Sequence, residues 1–297
     1  MCARKTTYKK RSKRKKKSSK PHKKRLWMLT LFLSACIVLS LLLLENEHRK
    51  LTDSALYQST RPAVQNQLIT GLEVPRFISE NKQQIIIHTG FTVSYNEDHK
   101  LPYWVGYELT VGKTFGEHSR TDRFVPDPKL QCNQAHTSDY TRSGYDRGHM
   151  APAADMKWSQ DAISESFYLS NICPQHPELN RRAWKQLEER VRDWAQADSL
   201  IIVVCGPLLN DKCRRIGRNK VSIPDGFFKV ILSPFASPPQ AIGFLFKNTH
   251  STKPLSEYAV SVDSVERVCG LDFFHQLPDS TEYLIESFFD KIYWGLN

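Results

Sequence analysis

YDRGHMAPAAD, residues 145–155, sets a histidine among two charged residues and a glycine just ahead of a small-residue run. His149 is a candidate general base, because imidazole titrates near neutrality and can take a proton at working pH. An isolated histidine is more often a hydrogen-bonded structural residue. Here Asp146 and Arg147 precede it, and Gly148 lets the backbone bend so that a strand end presents the ring toward a helix. Asp146 reads as a residue that shapes the loop and contributes little chemistry directly.

Working outward, FYLSNICPQHPELNRRAWKQLEE occupies residues 167–189. From Asn180 onward Trp184, Leu187, Val191 and Trp194 fall on one helical stripe, most of which is core. At about 100° per residue, Glu188 lies roughly 80° around from Asn180 and two turns along, so both point to one side of the helix. An amide oxygen beside a carboxylate is an oxygen site suited to a hard cation. Magnesium keeps several waters and takes one or two protein ligands, so Asn180 as ligand with Glu188 behind it is chemically adequate. Taken alone, Glu188 reads equally as part of a solvated helix face.

These segments closely resemble the DNA/RNA non-specific endonuclease family of ββα-metal nucleases. DRGH at 146–149, SNxCPQ at 170–175 and the N-x3-W-x3-E spacing of Asn180, Trp184 and Glu188 occur in order. Weaker likeness runs from about Leu72 through VSVDSVERVCGLDFF at 260–274. The resemblance implies His149 as base, Asn180 as direct magnesium ligand, with manganese as a substitute, and Glu188 as a carboxylate orienting a metal water. It implies phosphate contact from Arg147. Asn171 would help hold the metal-water and phosphate arrangement, or else cap a turn. Arg192 either reaches phosphate or pairs with an acidic neighbour. The upstream arginine of the family corresponds to Arg120 or Arg123. The implied reaction is hydrolysis of DNA and RNA to 5′-phosphate ends with little base specificity, and related nucleases are often homodimers. Two readings from other classes compete: a membrane-tethered nucleic-acid-binding protein without catalysis, and a structural envelope protein that uses the fold for partner contacts.

Charge distribution limits what basicity can support. Of 42 Lys and Arg, 14 lie in residues 1–25, leaving 28 against all 31 acidic residues, so the remainder is slightly acidic. Any polyanion site there must be a local arrangement, with Arg181, Arg182 and Arg192 as further candidates. Residues 26–44, LWMLTLFLSACIVLSLLLL, carry no charge. At about 1.5 Å per residue such a helix nearly spans a hydrocarbon core of about 30 Å. With the basic tail kept cytoplasmic, the expectation is a single-pass membrane protein whose domain is periplasmic or extracellular. A cleaved signal peptide, a buried core helix and a lipoprotein box ending at Cys36 are the rivals, the middle one requiring no membrane and the others giving secreted or lipid-anchored forms.

The expected organisation is a disordered tail at 1–25, a transmembrane helix at 26–44, a stalk at 45–70 and an endonuclease domain at 71–297. Within that domain 84–96, 103–110, 199–206, 227–232 and 241–246 read as strands, and 178–197, 261–269 and 281–289 as helices. The fold class is α+β, and the resemblance makes it a ββα-metal nuclease fold with a central antiparallel sheet flanked by helices. Five domain cysteines lack zinc-site spacing; one or two disulfides are open to them, while Cys173 and Cys205 read as well as buried hydrophobes.

Overall fold

Runs rich in β-branched and aromatic residues fold as strands: β1 (Gln84–Ile87), β2 (Thr92–Asn96), β3 (Leu101–Thr110), β6 (Leu200–Leu208), β7 (Gly226–Ser233), β8 (Gln240–Lys247) and β9 (Ala259–Val260). The computed structural model describes residues 70–210, 212–250 and 252–296. Two further strands, β4 (Asp146–His149) and β5 (Ile172–Gln175), form a separate antiparallel pair. The seven strands make one antiparallel sheet in the order β9-β8-β7-β6-β3-β2-β1. The stretch 84–96 is thus two strands rather than one, closed by a turn in which the His88 N–H donates to the Phe91 carbonyl at 2.9 Å.

On the central strands period-two alternation gives two buried apolar faces. On β6, Ile201, Val203 and Cys205 belong to one core, and Ile202 and Val204 to the other. Against the first face packs helix α1 (Lys185–Asp198), which seats Leu187, Val191 and Trp194 at helical spacing beside Met150 of the site loop. Burying Leu187 or Val191 fully contributes about 1.5–3 kcal/mol relative to leaving it exposed, which holds the helix on the sheet. Against the second face pack α2 (Val262–Cys269) and α3 (Asp279–Ser287) through Val262, Val265 and Ile285. The domain is therefore three-layered, and the two helical layers are chemically separate.

The expected tail, transmembrane helix and stalk, up to residue 69, lie outside the described residues. Among the described residues no helix is long and apolar enough to cross a membrane. Cys132, Cys173, Cys205, Cys213 and Cys269 are all free thiols, and Cys173 and Cys205 are buried, as hydrophobic filling would have them.

Candidate active site

The site is built where the β4–β5 pair meets the start of the long helix. A π-helical turn, Leu179–Trp184, precedes α1. Such a turn bonds each residue to the fifth rather than the fourth along, so each residue advances the helix by less than in an α-helix. This swings Asn180 toward the side of Trp184 and Glu188 and narrows the angular offset expected from regular helix geometry. The two ends of β4 are then tied to successive turns. Asp146 accepts from Asn180 Nδ2 at 3.0 Å, and the Trp184 indole N–H donates to the His149 carbonyl at 3.2 Å.

Gly148 serves close approach rather than bending. A Cβ there would lie 2.2 Å from Gln175 Oε1 and 2.7 Å from Gln175 Cβ on the neighbouring strand. Only glycine lets the buried Gln175 side chain cross β4 at that point.

Asp146 does more than shape the loop. Its carboxylate takes two hydrogen bonds from Arg181, both 2.8 Å, besides the one from Asn180. Burial raises its pKa, but the bonds from Arg181 and Asn180 outweigh this and hold it below the usual carboxylate range. An ionised Asp146 accepts only, so it orients the Asn180 amide with nitrogen inward and leaves Oδ1 available. The arrangement suits a hard cation, which prefers oxygen donors.

His149 sits at the C-terminal end of β4, half-buried between Phe167, edge-on at 5.0 Å, and Phe124 at 5.5 Å. Burial, reinforced by the positive charge of Arg120, pushes its pKa down to about 3. The imidazole is therefore neutral at neutral pH, and its Nε2 has no hydrogen-bond partner. A neutral ring with a buried, unengaged nitrogen is set up to exchange a proton with a group not yet in place.

Behind the helix lies a buried charge network. Asp155, the last residue of the opening motif, accepts from Tyr107 at 2.9 Å and from Arg192 at 2.8 Å. Lys229 is fully buried, its Nζ 4.3 Å from the Trp184 ring centroid and without a hydrogen-bond partner. Register across the sheet places it beside Cys205 and Phe244, on the face toward the site. Burial raises the Glu188 carboxyl to about 7; Lys229 pulls it back, Asp155 pushes it further up, and Arg192 and the Trp184 N–H lower it. Glu188 is therefore no solvated surface acid, and a small change in nearby charge decides whether it is ionised.

The remaining expected residues divide. Arg120 lies 5.3 Å over the Phe167 ring that also flanks His149, and it pairs with Asp122. That contact, together with its effect on His149, places Arg120 beside the base. Arg147 lies over Phe124 at 5.2 Å and Tyr140 at 5.9 Å and donates to the Thr137 carbonyl at 3.3 Å, while its Nε is buried without a partner. Arg192 pairs through Nη1 with Asp155 at 2.8 Å, the acidic partner of its second reading. Asn171 differs from expectation. Its Oδ1 accepts from Ala151 N–H at 2.9 Å, and its Nδ2 donates to the carbonyls of Ala151 and Ser166 at 2.9 and 2.8 Å. With both amide donors and an oxygen lone pair spent on backbone, it clamps the loop after His149. Lys229 and Tyr107 are site neighbours outside the motifs, and Asp155 lies within the first motif without a role assigned to it there. Lys229 had a signal, being the one charge in an otherwise apolar strand run, FFKVIL.

The comparisons with known proteins agree with this geometry. The family model described as DNA/RNA non-specific endonuclease matches residues 70–280. The mitochondrial nuclease EXOG of Danio rerio is 35% identical over 242 residues, 72% of this chain and 68% of that protein. A nuclease of Syncephalastrum racemosum is 35% identical over 220 residues, 66% of this chain and 69% of its own length. Human mitochondrial endonuclease G is 32% identical over 205 residues, 64% of this chain and 69% of its own. The chain spans only 58% of the mouse EXOG it also matches. A crystal structure of an EndoG/EndoGI complex superposes with a TM-score of 0.63 at 32% identity, covering 68% of this chain and 89% of that one.

These relatives correct one expectation. Single-pass placement with a periplasmic or extracellular domain does not hold, since the zebrafish and human proteins are named as mitochondrial nucleases. The physical reason is that a basic, acid-poor N-terminus is common to several targeting routes and does not by itself specify which membrane or compartment lies beyond it. With the motif order, the hairpin-on-helix geometry and the matched residues in agreement, the chain belongs to the DNA/RNA non-specific endonuclease family, enzymes that cleave nucleic acid with the help of a metal ion.

Proposed function

We propose that the chain is a magnesium-dependent endonuclease, with manganese able to substitute, that hydrolyses DNA and RNA phosphodiester bonds without sugar or base preference and leaves 5′-phosphate ends. The observation that carries this reading is the pairing of a neutral, unpartnered His149 Nε2 with an Asn180 amide whose oxygen is turned outward by Asp146. His149 takes the proton of the attacking water. Asn180 Oδ1 would hold the ion, and Glu188 would supply a carboxylate beside it. When bound, the divalent cation offsets charge developing on the phosphate and the leaving 3′ oxygen. Arg120 attracts the phosphate to the base, and the arriving negative charge offsets the part of the downward push on His149 that Arg120 adds to burial, so the ring becomes a better proton acceptor with substrate present. Arg147 contacts phosphate through the guanidinium edge not given to Thr137. Arg192 acts by fixing Asp155 next to Glu188. Such contacts read backbone rather than bases, so affinity falls as salt rises. Assembly as a homodimer belongs to the same reading and is read out by sedimentation of the purified chain.

The test is cleavage of plasmid DNA and of a structured RNA by the full chain, with magnesium and with chelator. Degradation of both substrates, lost on chelation and restored by magnesium or manganese, is expected. Retention of either substrate without cleavage in magnesium favours the alternative of a binding protein without catalysis.

A further inference from the structure

On the sheet face opposite His149, α2 and α3 bring carboxylates together. Asp263 and Glu266 are three residues apart on α2 and so share a side of the helix, and Glu286 approaches from α3. One oxygen from each of the three lies within 4.8 Å of the others. Glu286 is only 6% exposed, and its Oε1 is buried with no hydrogen-bond partner. Glu266 spends an oxygen on the Phe273 N–H at 2.8 Å, which fixes its carboxylate in place. Arg76 neutralises the flank of the cluster by pairing with Asp272 at 2.7 Å, where Glu282 also lies nearby.

A buried carboxylate with an unpartnered oxygen, grouped with two others, is costly to ionise, and a bound cation offsets that cost. A cation that bonds oxygen at about 2.3–2.6 Å, the calcium range, bridges two oxygens up to about 4.6–5.2 Å apart, which accommodates the bound of 4.8 Å on these three. We propose that Asp263 and Glu266 of α2 together with Glu286 of α3 form a calcium-binding site, separate from the candidate active site, that staples the two helices to each other. The electrostatics agree, since burial and then the neighbouring carboxylates raise Glu286 to about 9 and burial raises Glu266 to about 7, as a site lacking its cation would behave.

The test is thermal melting of the full chain, stripped with chelator and then titrated with calcium chloride. A rise of about 5 °C is expected at a hundredfold excess over the dissociation constant. The rise should persist in Asn180→Ala, which leaves the cluster intact, and disappear in Glu286→Gln. If Glu286→Gln does not fold, the half-exposed Asp263→Asn carries the same expectation. No rise in the wild-type chain overturns the proposal. So does a rise that the cluster variants keep, or one lost in Asn180→Ala alone, which would place calcium at the other face. Because the readout is melting, it stands or fails independently of nuclease activity.

Discussion

Replacing His149 with alanine is expected to lower cleavage of DNA and RNA by about 10²–10⁴-fold, the range that a positioned general base supplies. Retention of nucleic acid and the overall fold should stay close to wild type. Its ring touches Phe124 and Phe167 but makes no side-chain hydrogen bond through Nε2, so the truncation breaks no polar network at that atom. The Glu188 carboxyl, raised to about 7, lies within the Asp155–Lys229 network. The variant also carries a signature in stability. A histidine whose folded pKa is depressed to about 3 contributes stability that is present above its unfolded pKa near 6.5 and lost as pH falls toward 3. His149→Ala should therefore flatten acid destabilisation over that interval. Undiminished cleavage by the variant would remove His149 as the base.

Asn180→Ala should raise the magnesium concentration needed for half-maximal activity by about 100-fold or more, because partners that merely orient a ligand are already worth about 10–100-fold. Asp146→Asn tests the orienting step. An amide at 146 offers donors as well as an acceptor, so it no longer dictates which way the Asn180 amide faces, and it gives up the charge-assisted pair with Arg181. A smaller shift in the same direction, about tenfold, is expected from it. A magnesium titration unchanged in Asn180→Ala would contradict the ligand assignment, and one unchanged in Asp146→Asn alone would confine the contradiction to the orienting role.

Much of the scaffold was legible because apolar periodicity is a local signal. The strands at 200–208, 226–233 and 240–247 and the helix through Leu187, Val191 and Trp194 follow from residues close in sequence. The site was legible in its identities more than in its geometry. His149, Asn180 and Glu188 stood out in ordered motifs, yet the π turn that rotates Asn180 leaves no trace in side-chain pattern, since it differs from an α-turn only in backbone bonding. Asn171 illustrates a different limit. Its amide is spent on the backbone at Ala151 and Ser166, and only the folded path of the loop reveals that. Arg192 had two readings because its partner, Asp155, lies 37 residues away. Long-range pairing of this kind, like the meeting of Asp263 and Glu266 with Glu286, depends on how layers stack and cannot be reached from spacing.

Hydrolysis in ¹⁸O-labelled water, followed by identification of the ends and the label, tests the central claim most directly, namely that a His149-activated water attacks phosphorus and the 3′ oxygen leaves. On both DNA and RNA the products should carry 5′-phosphate with one ¹⁸O and an unlabelled 3′-hydroxyl, and chelation should stop the reaction. Recovery of 3′-phosphate ends, or of 2′,3′-cyclic phosphate from RNA, would contradict it.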